Sequence, residues 1–471
     1  MGKTLEVDRS RCCDCGGCVG VCPARALDLR EDGLSVDREK CTMCGVCLAF
    51  CPVEALASGE GPAAPLASKA NIVRTDVVIV GAGPAGSICA KFLARSGRGV
   101  LVVDKKQEIG VPKRCAEAVE PDTFEAVGIE PSPLWLTNRI QAAVLYAPNG
   151  ASVRFGAHSS AGSGFIIERK VFEKHLAKDA IRAGARYMLK TMAQGVIREN
   201  GRVKGLVVRS AGTETKVLAD IVIAADGVDS MIAKSAGLET VNRLDDYMSC
   251  FQYEMAGLRN VDEAAIHLYY GNEVAPGGYV WIFPKRNTLA NVGVGIKPLK
   301  AENGTARRYL DRFIEKHPDI FAGASAVEFN SGGVPVNPKI EALAGDGLMI
   351  IGDAAHLVNP ATGGGIRLAM ISGRMAAEVA VLALREGDVG RKSLGRYQKN
   401  WDAGCGRDLR RMLKLQKFTD GLTDDDLNKL AGLLTAEILE ELAVGRYGGL
   451  VRLLLKKSPS LARFGLKYLN S

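Results

Sequence analysis

Cys12, Cys15, Cys18 and Cys22 are followed by Pro23, and the same spacing returns 29 residues later at Cys41, Cys44, Cys47 and Cys51, followed by Pro52. Each run reads C-x2-C-x2-C-x3-C-P, the spacing with which thiolates hold iron–sulfur clusters. Zinc sites use simpler C-x2-C pairs, and two full copies of a four-cysteine pattern argue against both zinc and a disulfide framework. A chain that opens this way must handle electrons one at a time. Nine of the 13 cysteines lie in the first 51 residues. Cluster chemistry belongs to a reducing compartment, so disulfides are not expected and a cytoplasmic setting is.

Over roughly its first sixty residues the chain resembles bacterial two-cluster ferredoxins. In those proteins the fourth cysteine of each run ligates the other cluster. The resemblance therefore gives Cys12, Cys15, Cys18 and Cys51 to one 4Fe–4S cluster, and Cys41, Cys44, Cys47 and Cys22 to a second. Cys13, beside a ligand, receives no role.

The 471 residues call for two or three domains. Hydrophobic residues make up 47% and charged residues 24%, ordinary for a globular protein. Met1 to Arg11 is polar, so no signal peptide is expected, and no run of 18 apolar residues predicts a membrane span. The net charge of +8 is uneven: residues 1–60 hold seven Lys/Arg against ten Asp/Glu, a net −3, leaving +11 for the remainder. An acidic head on a basic body suits anionic substrates or an anionic membrane surface. Nucleic acid is not expected as a partner, since no basic stripe carries interleaved aromatics.

The head is expected over residues 1–57, with a Pro/Gly-rich linker over 58–72. Thr75 to Val80 is an apolar β run that enters Gly81-Ala-Gly83-Pro84-Ala85-Gly86, followed by a helical pattern, a second strand at Val100–Val103 and Asp104. A lone GxGxxG is weak, but between strand and helix, with an acid 18 residues after its third glycine, it is a dinucleotide-binding fingerprint. The glycines admit a pyrophosphate to backbone amides, and Asp104 is expected on the adenosine ribose. Further on, Asp220 to Asp229 reads as a buried strand and turn containing Asp226-Gly227. Leu348–Ile351 leads through Gly352-Asp353 to Pro360, Gly363-Gly364-Gly365 and Ile366, where an amphipathic helix begins. Between these segments, Ile140–Tyr146 and Val203–Arg209 read as parts of a second, mainly β layer, and Val171–Ala183 as a helix. The expected fold class is α/β. A ferredoxin-like head precedes a Rossmann core over 73–400, with an inserted antiparallel β domain at about 135–215 and 240–340 and a helical region over 401–471.

Together the three glycine motifs resemble the FAD-binding elements of the glutathione-reductase-like flavoproteins that include para-hydroxybenzoate hydroxylase. That resemblance implies FAD. It places Asp353 on the ribityl and pyrophosphate region and Gly363, Gly364 and Gly365 near the isoalloxazine ring. Pro84, Ala85, Lys105, Arg114, Cys115, Gly352, Pro360 and Ile366 complete the implied cofactor site.

Tyr279-Val-Trp281-Ile-Phe283-Pro284, then eight residues and Gly293-Val-Gly295, matches the Y-x-W-x-F-P-x(7–8)-G-x-G signature. With Val111-Pro-Lys113-Arg114-Cys115-Ala-Glu117, it identifies residues 73–400 as similar to the geranylgeranyl reductase family. The resemblance implies hydrogenation of C=C bonds in the prenyl chains of isoprenoid lipids, with Cys115, Tyr279, Trp281 and Phe283 as catalytic candidates. At period 2 the three aromatics share one strand face, where they either line an apolar slot or pack the layer. Gly293 and Gly295 are expected to let a ligand approach the backbone. An isolated alkene needs a proton donor opposite the hydride. Cys115 is that candidate by resemblance, although Lys113 and Arg114 beside it would favour a thiolate that cannot donate. Cys89, Cys250 and Cys405 read as small buried hydrophobes, and His356 as structural or catalytic alike.

No second GxGxxG stands in a strand–helix context, so electrons are expected through the clusters, from an external ferredoxin or another low-potential donor. Rival readings are an electron-transfer dehydrogenase relaying electrons to a quinone, a reductase of a menaquinone side chain, and an aromatic hydroxylase. Residues 445–471 hold six Lys/Arg, no acid and apolar residues at helical spacing, so they suit either a peripheral anchor on the inner membrane face or a helix packed on the body. An oligomer is left open.

Overall fold

The computed structural model describes residues 5–12, 17–30, 33–51, 53–59, 71–156, 162–210, 213–241, 243–302, 304–338 and 340–469. Cys13, Cys15 and residues 60–70 of the expected linker lie outside these residues.

The head is a doubled unit. Leu5–Val7 pairs antiparallel with Leu56–Ser58, and Leu27–Arg30 pairs antiparallel with Gly33–Val36. A short helix carries the third cysteine of each half, Gly17–Gly20 and Val46–Phe50. Cys18 and Cys47 sit in those helices and are buried with Leu5, Leu27, Leu34 and Leu56. The correspondence extends to the fourth cysteines: Cys22 Sγ accepts from Ala26 N at 3.3 Å and Cys51 Sγ from Ala55 N at 3.2 Å.

The body is built on a mainly parallel sheet. Its order is Arg186–Met188, Val100–Val103, Asn71–Val80, Thr213–Ala224, Arg202–Ser210 and Thr191–Glu199, with Leu348–Ile350 also paired to Thr213–Ala224. The central strands are continuous apolar runs because both faces are covered, as parallel sheets require. Val77, Val78, Ile79 and Ile221–Ala224 are essentially inaccessible. Pro84 starts the helix Pro84–Arg95, where its fixed φ and missing N–H cost nothing. This helix packs on Ile366–Glu386, which ends at Gly387 in the left-handed region.

Val203–Arg209 does not belong to the second β layer. Arg202–Ser210 lies between Thr191–Glu199 and the first half of Thr213–Ala224, inside the flavoprotein sheet. Its alternating pattern is that of an antiparallel extension whose sheet membership is decided by a distant partner. The inserted domain is instead a seven-stranded sheet ordered Ser152–Phe155, Ala142–Tyr146, Ala265–Tyr269, Tyr279–Arg286, Leu289–Ile296, Tyr247–Ala256 and Ser325–Pro335. A three-stranded sheet of Ala118–Val119, Gly164–Ile167 and Leu136–Ile140 accompanies it.

After Arg396–Ala403 come the helices Cys405–Asp420, Asp424–Ala431, Ala436–Ala443, Gly448–Lys457 and Pro459–Leu469. Thr423 and Asp426 form a reciprocal capping box at the start of Asp424–Ala431. The apolar faces of the last helices are covered by protein: Leu450, Leu454, Leu461 and Ala462 pack with Phe418, Leu422, Leu430 and Leu439, against Leu145, Val153 and Phe155 of the β layer. The apolar face of 445–471 is therefore largely a packing face, with Leu455 left exposed. No helix among the described residues is long and apolar enough to cross a membrane.

Candidate active site

One cavity of about 1660 Å³ runs through the body. That exceeds the few hundred to about 1,000 Å³ of a common small-ligand pocket, so it has room for more than one occupant.

Its first end is made of turns. Gly81, Gly83, Pro84, Ala85, Asp104, Lys105, Asp226 and Gly227 line it, facing Asp353, Pro360, Gly363, Gly364, Gly365 and Ile366. Gly86 and Gly352 do not line it; they hold the cradle closed from behind. A Cβ on Gly86 would stand 1.9 Å from Gly81 O, and one on Gly352 3.0 Å from Ala85 Cβ. Asp104 braces the loop, accepting from Ala82 N at 2.7 Å and Lys106 N at 2.8 Å. Lys105 pairs with Asp229 at 3.0 Å, both partly exposed. Asp226 Oδ2 accepts from Ile232 N at 2.9 Å, while its buried Oδ1 has no partner among the described residues. Burial pushes this carboxyl up. A glycine-built cradle with an unsatisfied acceptor suits the pyrophosphate and hydroxyls of FAD. His356 is buried behind this loop, away from the cavity lining.

The middle is aromatic. Along Tyr279–Arg286, Val280 and Ile282 face the helix Ala306–Lys316, and Tyr279, Trp281 and Phe283 face the cavity. Ring centroids lie 6.0 Å apart for Tyr279–Trp281 and 6.3 Å for Trp281–Phe283. The Tyr279 hydroxyl donates to Thr362 O, tying this strand to the glycine loop. Gly293 leaves room for protein, contrary to the expectation of a ligand there: a Cβ on it would meet Trp281 Cζ2 at 2.3 Å. Gly295 does line the cavity, as do Cys250 and Cys405, which the sequence suggests are simply buried.

Cys115 also lines the cavity, and its Sγ accepts from Glu117 N at 3.1 Å. The basic neighbours turn away from it. The Arg114 stem packs on Gly332. Lys113 is buried in a cage of carboxylates, 3.1 Å from Glu117, in contact with Glu254 and 3.7 Å from Glu328. Lys285 enters the same cage, 2.7 Å from Glu117 and 2.9 Å from both Glu168 and Glu254. Burial alone would raise the Glu254 carboxyl, but the two lysines hold it below its usual range. The cation nearest Cys115 is instead Arg169, which bonds Glu173 and, at 3.1 Å, Arg114 O. Burial pushes the Cys115 thiol up, with Arg169 opposing. The thiol thus keeps its proton.

Sequence reasoning missed this cage and two polar side chains in front of it. Gln252 Nε2 donates to Cys115 O and to Asn291 Oδ1, each at 3.1 Å, and Trp281 Nε1 donates to Gln252 Oε1 at 2.9 Å. The available signal was a polar residue in an apolar strand, as Asn291 stands between Ala290 and Val292.

The far end is apolar. Leu409, Met412, Leu415, Phe418, Leu422, Leu430, Leu442 and Leu450 line it from the C-terminal helices. In the head, a small separate cavity is lined by Cys22 together with Cys41, Cys44 and Cys47, a four-sulfur donor set that suits an iron–sulfur cluster.

The chain was compared with known proteins. The geranylgeranyl reductase catalytic domain matches residues 246–334, the FAD dependent oxidoreductase family 76–263, and the 4Fe-4S dicluster domain 4–52. Digeranylgeranylglycerophospholipid reductase of Methanothrix thermoacetophila is 41% identical over 390 residues, covering 83% of this chain and 98% of that protein. A relative of the same name from Methanopyrus kandleri is 40% identical over 393 residues, covering 83% and 98%. A geranylgeranyl bacteriochlorophyll reductase-like protein from Thermoplasma acidophilum superposes with a TM-score of 0.78 at 32% identity, over 85% of this chain and 100% of that one. A flavin-dependent brominase, at 17% identity and a TM-score of 0.64 over 84% and 99%, shares the fold alone.

Proposed function

Because the chain belongs to the geranylgeranyl reductase family, as an FAD-dependent oxidoreductase with an iron–sulfur head, we propose that it hydrogenates C=C bonds in the prenyl chains of isoprenoid ether lipids. The observation that carries this reading is the single cavity, which joins a glycine cradle, an aromatic face and a leucine-lined end. A polyunsaturated chain fits the apolar end while one of its bonds meets the aromatic face. Bound FAD supplies the hydride. The chain's residues do the rest. Gly363–Gly365 and Asp353 hold the cofactor edge, Trp281 and Phe283 seat the alkene, and Cys115 holds a proton at Sγ for the second carbon. The leucines exclude water.

The head feeds this site through two 4Fe–4S clusters. Cys12, Cys15, Cys18 and Cys51 hold one, and Cys41, Cys44, Cys47 and Cys22 hold the other. Each reduced bond needs two electrons, and bound clusters would pass them singly from a low-potential donor such as a ferredoxin.

The lipid is met at a membrane surface. Arg446, Arg452, Lys456, Lys457, Arg463 and Lys467 are all exposed, while the apolar face behind them is packed. Docking therefore rests on charge, at about 1 kcal/mol per cation near an anionic bilayer, and it weakens with salt.

The test is anaerobic incubation of the reduced enzyme with unsaturated archaeal-type lipid, geranylgeranyl diphosphate and a menaquinone. Product masses should show two hydrogens gained per chain double bond. Quinol formation with the chain untouched would overturn the reading. Cys44→Ser should abolish turnover driven by reduced ferredoxin and spare turnover driven by a small chemical reductant.

A further inference from the structure

We propose that Gln252 is the positioning residue of this site: its amide braces the Trp281 indole to the Cys115 loop, and residue 293 is glycine so that the brace can form. This rests on the reading that Trp281 and Cys115 meet the alkene.

The strand register places the parts. Trp281 lies opposite Gly293, and Gly293 lies opposite Gln252 on the next strand over. Neighbouring strands are about 4.8 Å apart, so Trp281 and Gln252 stand nearly 10 Å apart at their backbones. A side chain at the middle position would ordinarily separate them. Here there is none, and the indole lies across the gap: a Cβ on Gly293 would stand 2.3 Å from Cζ2 and 2.5 Å from Cε2. The first glycine of the G-x-G signature is thus occupied from within by its own tryptophan.

The hydrogen bonds that follow have only one consistent direction. An indole N–H can only donate, so the oxygen of Gln252 must face it, at 2.9 Å. The Gln252 amide nitrogen then donates to Cys115 O and Asn291 Oδ1. Asn291 in turn donates to Ala116 O at 3.0 Å and to Glu117 Oε2 at 2.7 Å. Glu117 is fully buried at φ +72°, in the left-handed region that few residues other than glycine adopt. Lys113 and Lys285 hold its carboxylate at 3.1 and 2.7 Å. Its N–H is the one that meets Cys115 Sγ. Gln252 hydrogen-bonds both the aromatic face and the Cys115 loop, and it is 2% exposed.

The brace fixes the spacing between the alkene seat and the proton donor. Misplacement by about an ångström costs on the order of a hundredfold in rate. Remote leucines bind most of a prenyl chain, so loosening the brace should act on kcat more than on KM.

The test uses the holoenzyme with Gln252→Met, which keeps the volume and removes every hydrogen bond. The expected result is a fall in kcat of about 10- to 100-fold with KM within about threefold. Reduction should spread to other double bonds, and Cys115 should be alkylated faster by iodoacetamide with no substrate present. Trp281→Phe, which removes the donor together with the indole's second ring, should lose nothing further when combined with Gln252→Met. Unchanged kcat and alkylation in Gln252→Met, or additive losses in the double variant, would overturn the proposal. If Gln252→Met loses its FAD, Gly293→Ala and Trp281→Phe read the same coupling, again as non-additive losses. A wild type that leaves prenyl chains untouched, with Cys115 alkylation still responding to Gln252→Met, would sink the substrate assignment and leave the brace standing.

Discussion

The head and the body each hold a redox group, and they do so by opposite means. The head offers side-chain sulfur, with four cysteines round one small cavity, and its main apolar cluster among the described residues holds four leucines and two of the cysteines. The body offers backbone: glycine turns, helix starts and an unsatisfied carboxylate oxygen, on a sheet whose core is complete without any ligand. At about 60 residues a single core is marginal, and metals often add to it. The difference teaches that bound clusters would be part of the head's fold, whereas the body's flavin would be a guest.

Iron removal should break the comparison most sharply if it is wrong. Anaerobic chelation should unfold the head, raising hydrogen exchange in Leu27–Arg30 and Gly33–Val36 to unfolded rates, while Thr213–Ala224 stays protected. A head that stays protected would end the contrast. Next, Gly86→Val forces a side chain onto the Gly81 carbonyl, where backbone cannot yield. Flavin content of the purified protein should fall to near zero, with destabilisation of about 4 kcal/mol or more in urea. Lys285→Met leaves Glu117, Glu168 and Glu254 facing one another with one cation fewer, and should cost about 3–5 kcal/mol by the same melt. Removing flavin should do less: mass action at a hundredfold excess over Kd is worth about 2.7 kcal/mol, seen as a modest fall in the body's Tm. The smallest effect is acid. Burial holds the His267 and His356 imidazoles below the usual 6.5, so unfolding takes up their protons. Their contribution is complete above pH 6.5 and is lost as pH falls through the folded values, and His267→Gln should flatten that slope in Tm.

Much of this was legible in the sequence because it is local. The cysteine runs, the glycine turns and the period-2 aromatics each declare themselves within a dozen residues. What was not legible depends on partners far along the chain. Arg202–Ser210 alternates like any half-buried strand, and only its pairing with Thr213–Ala224 assigns it to the flavoprotein sheet. Lys113 looked like a neighbour of Cys115, yet its ammonium sits among Glu117, Glu254 and Glu328, and Arg169 supplies the cation instead. Buried charge is rare enough that composition argues against it, so a cage drawn from residues 113 to 328 leaves no pattern to read. The C-terminal helices show the same limit: periodicity reveals an apolar face but not whether protein or lipid covers it.

The doubling of the head has one further consequence. Cys22 belongs to the first half, yet it completes the sulfur-lined cavity of Cys41, Cys44 and Cys47 in the second. The two halves are therefore laced together like the strands of a splice. Cut the first half away and the second is left one sulfur short.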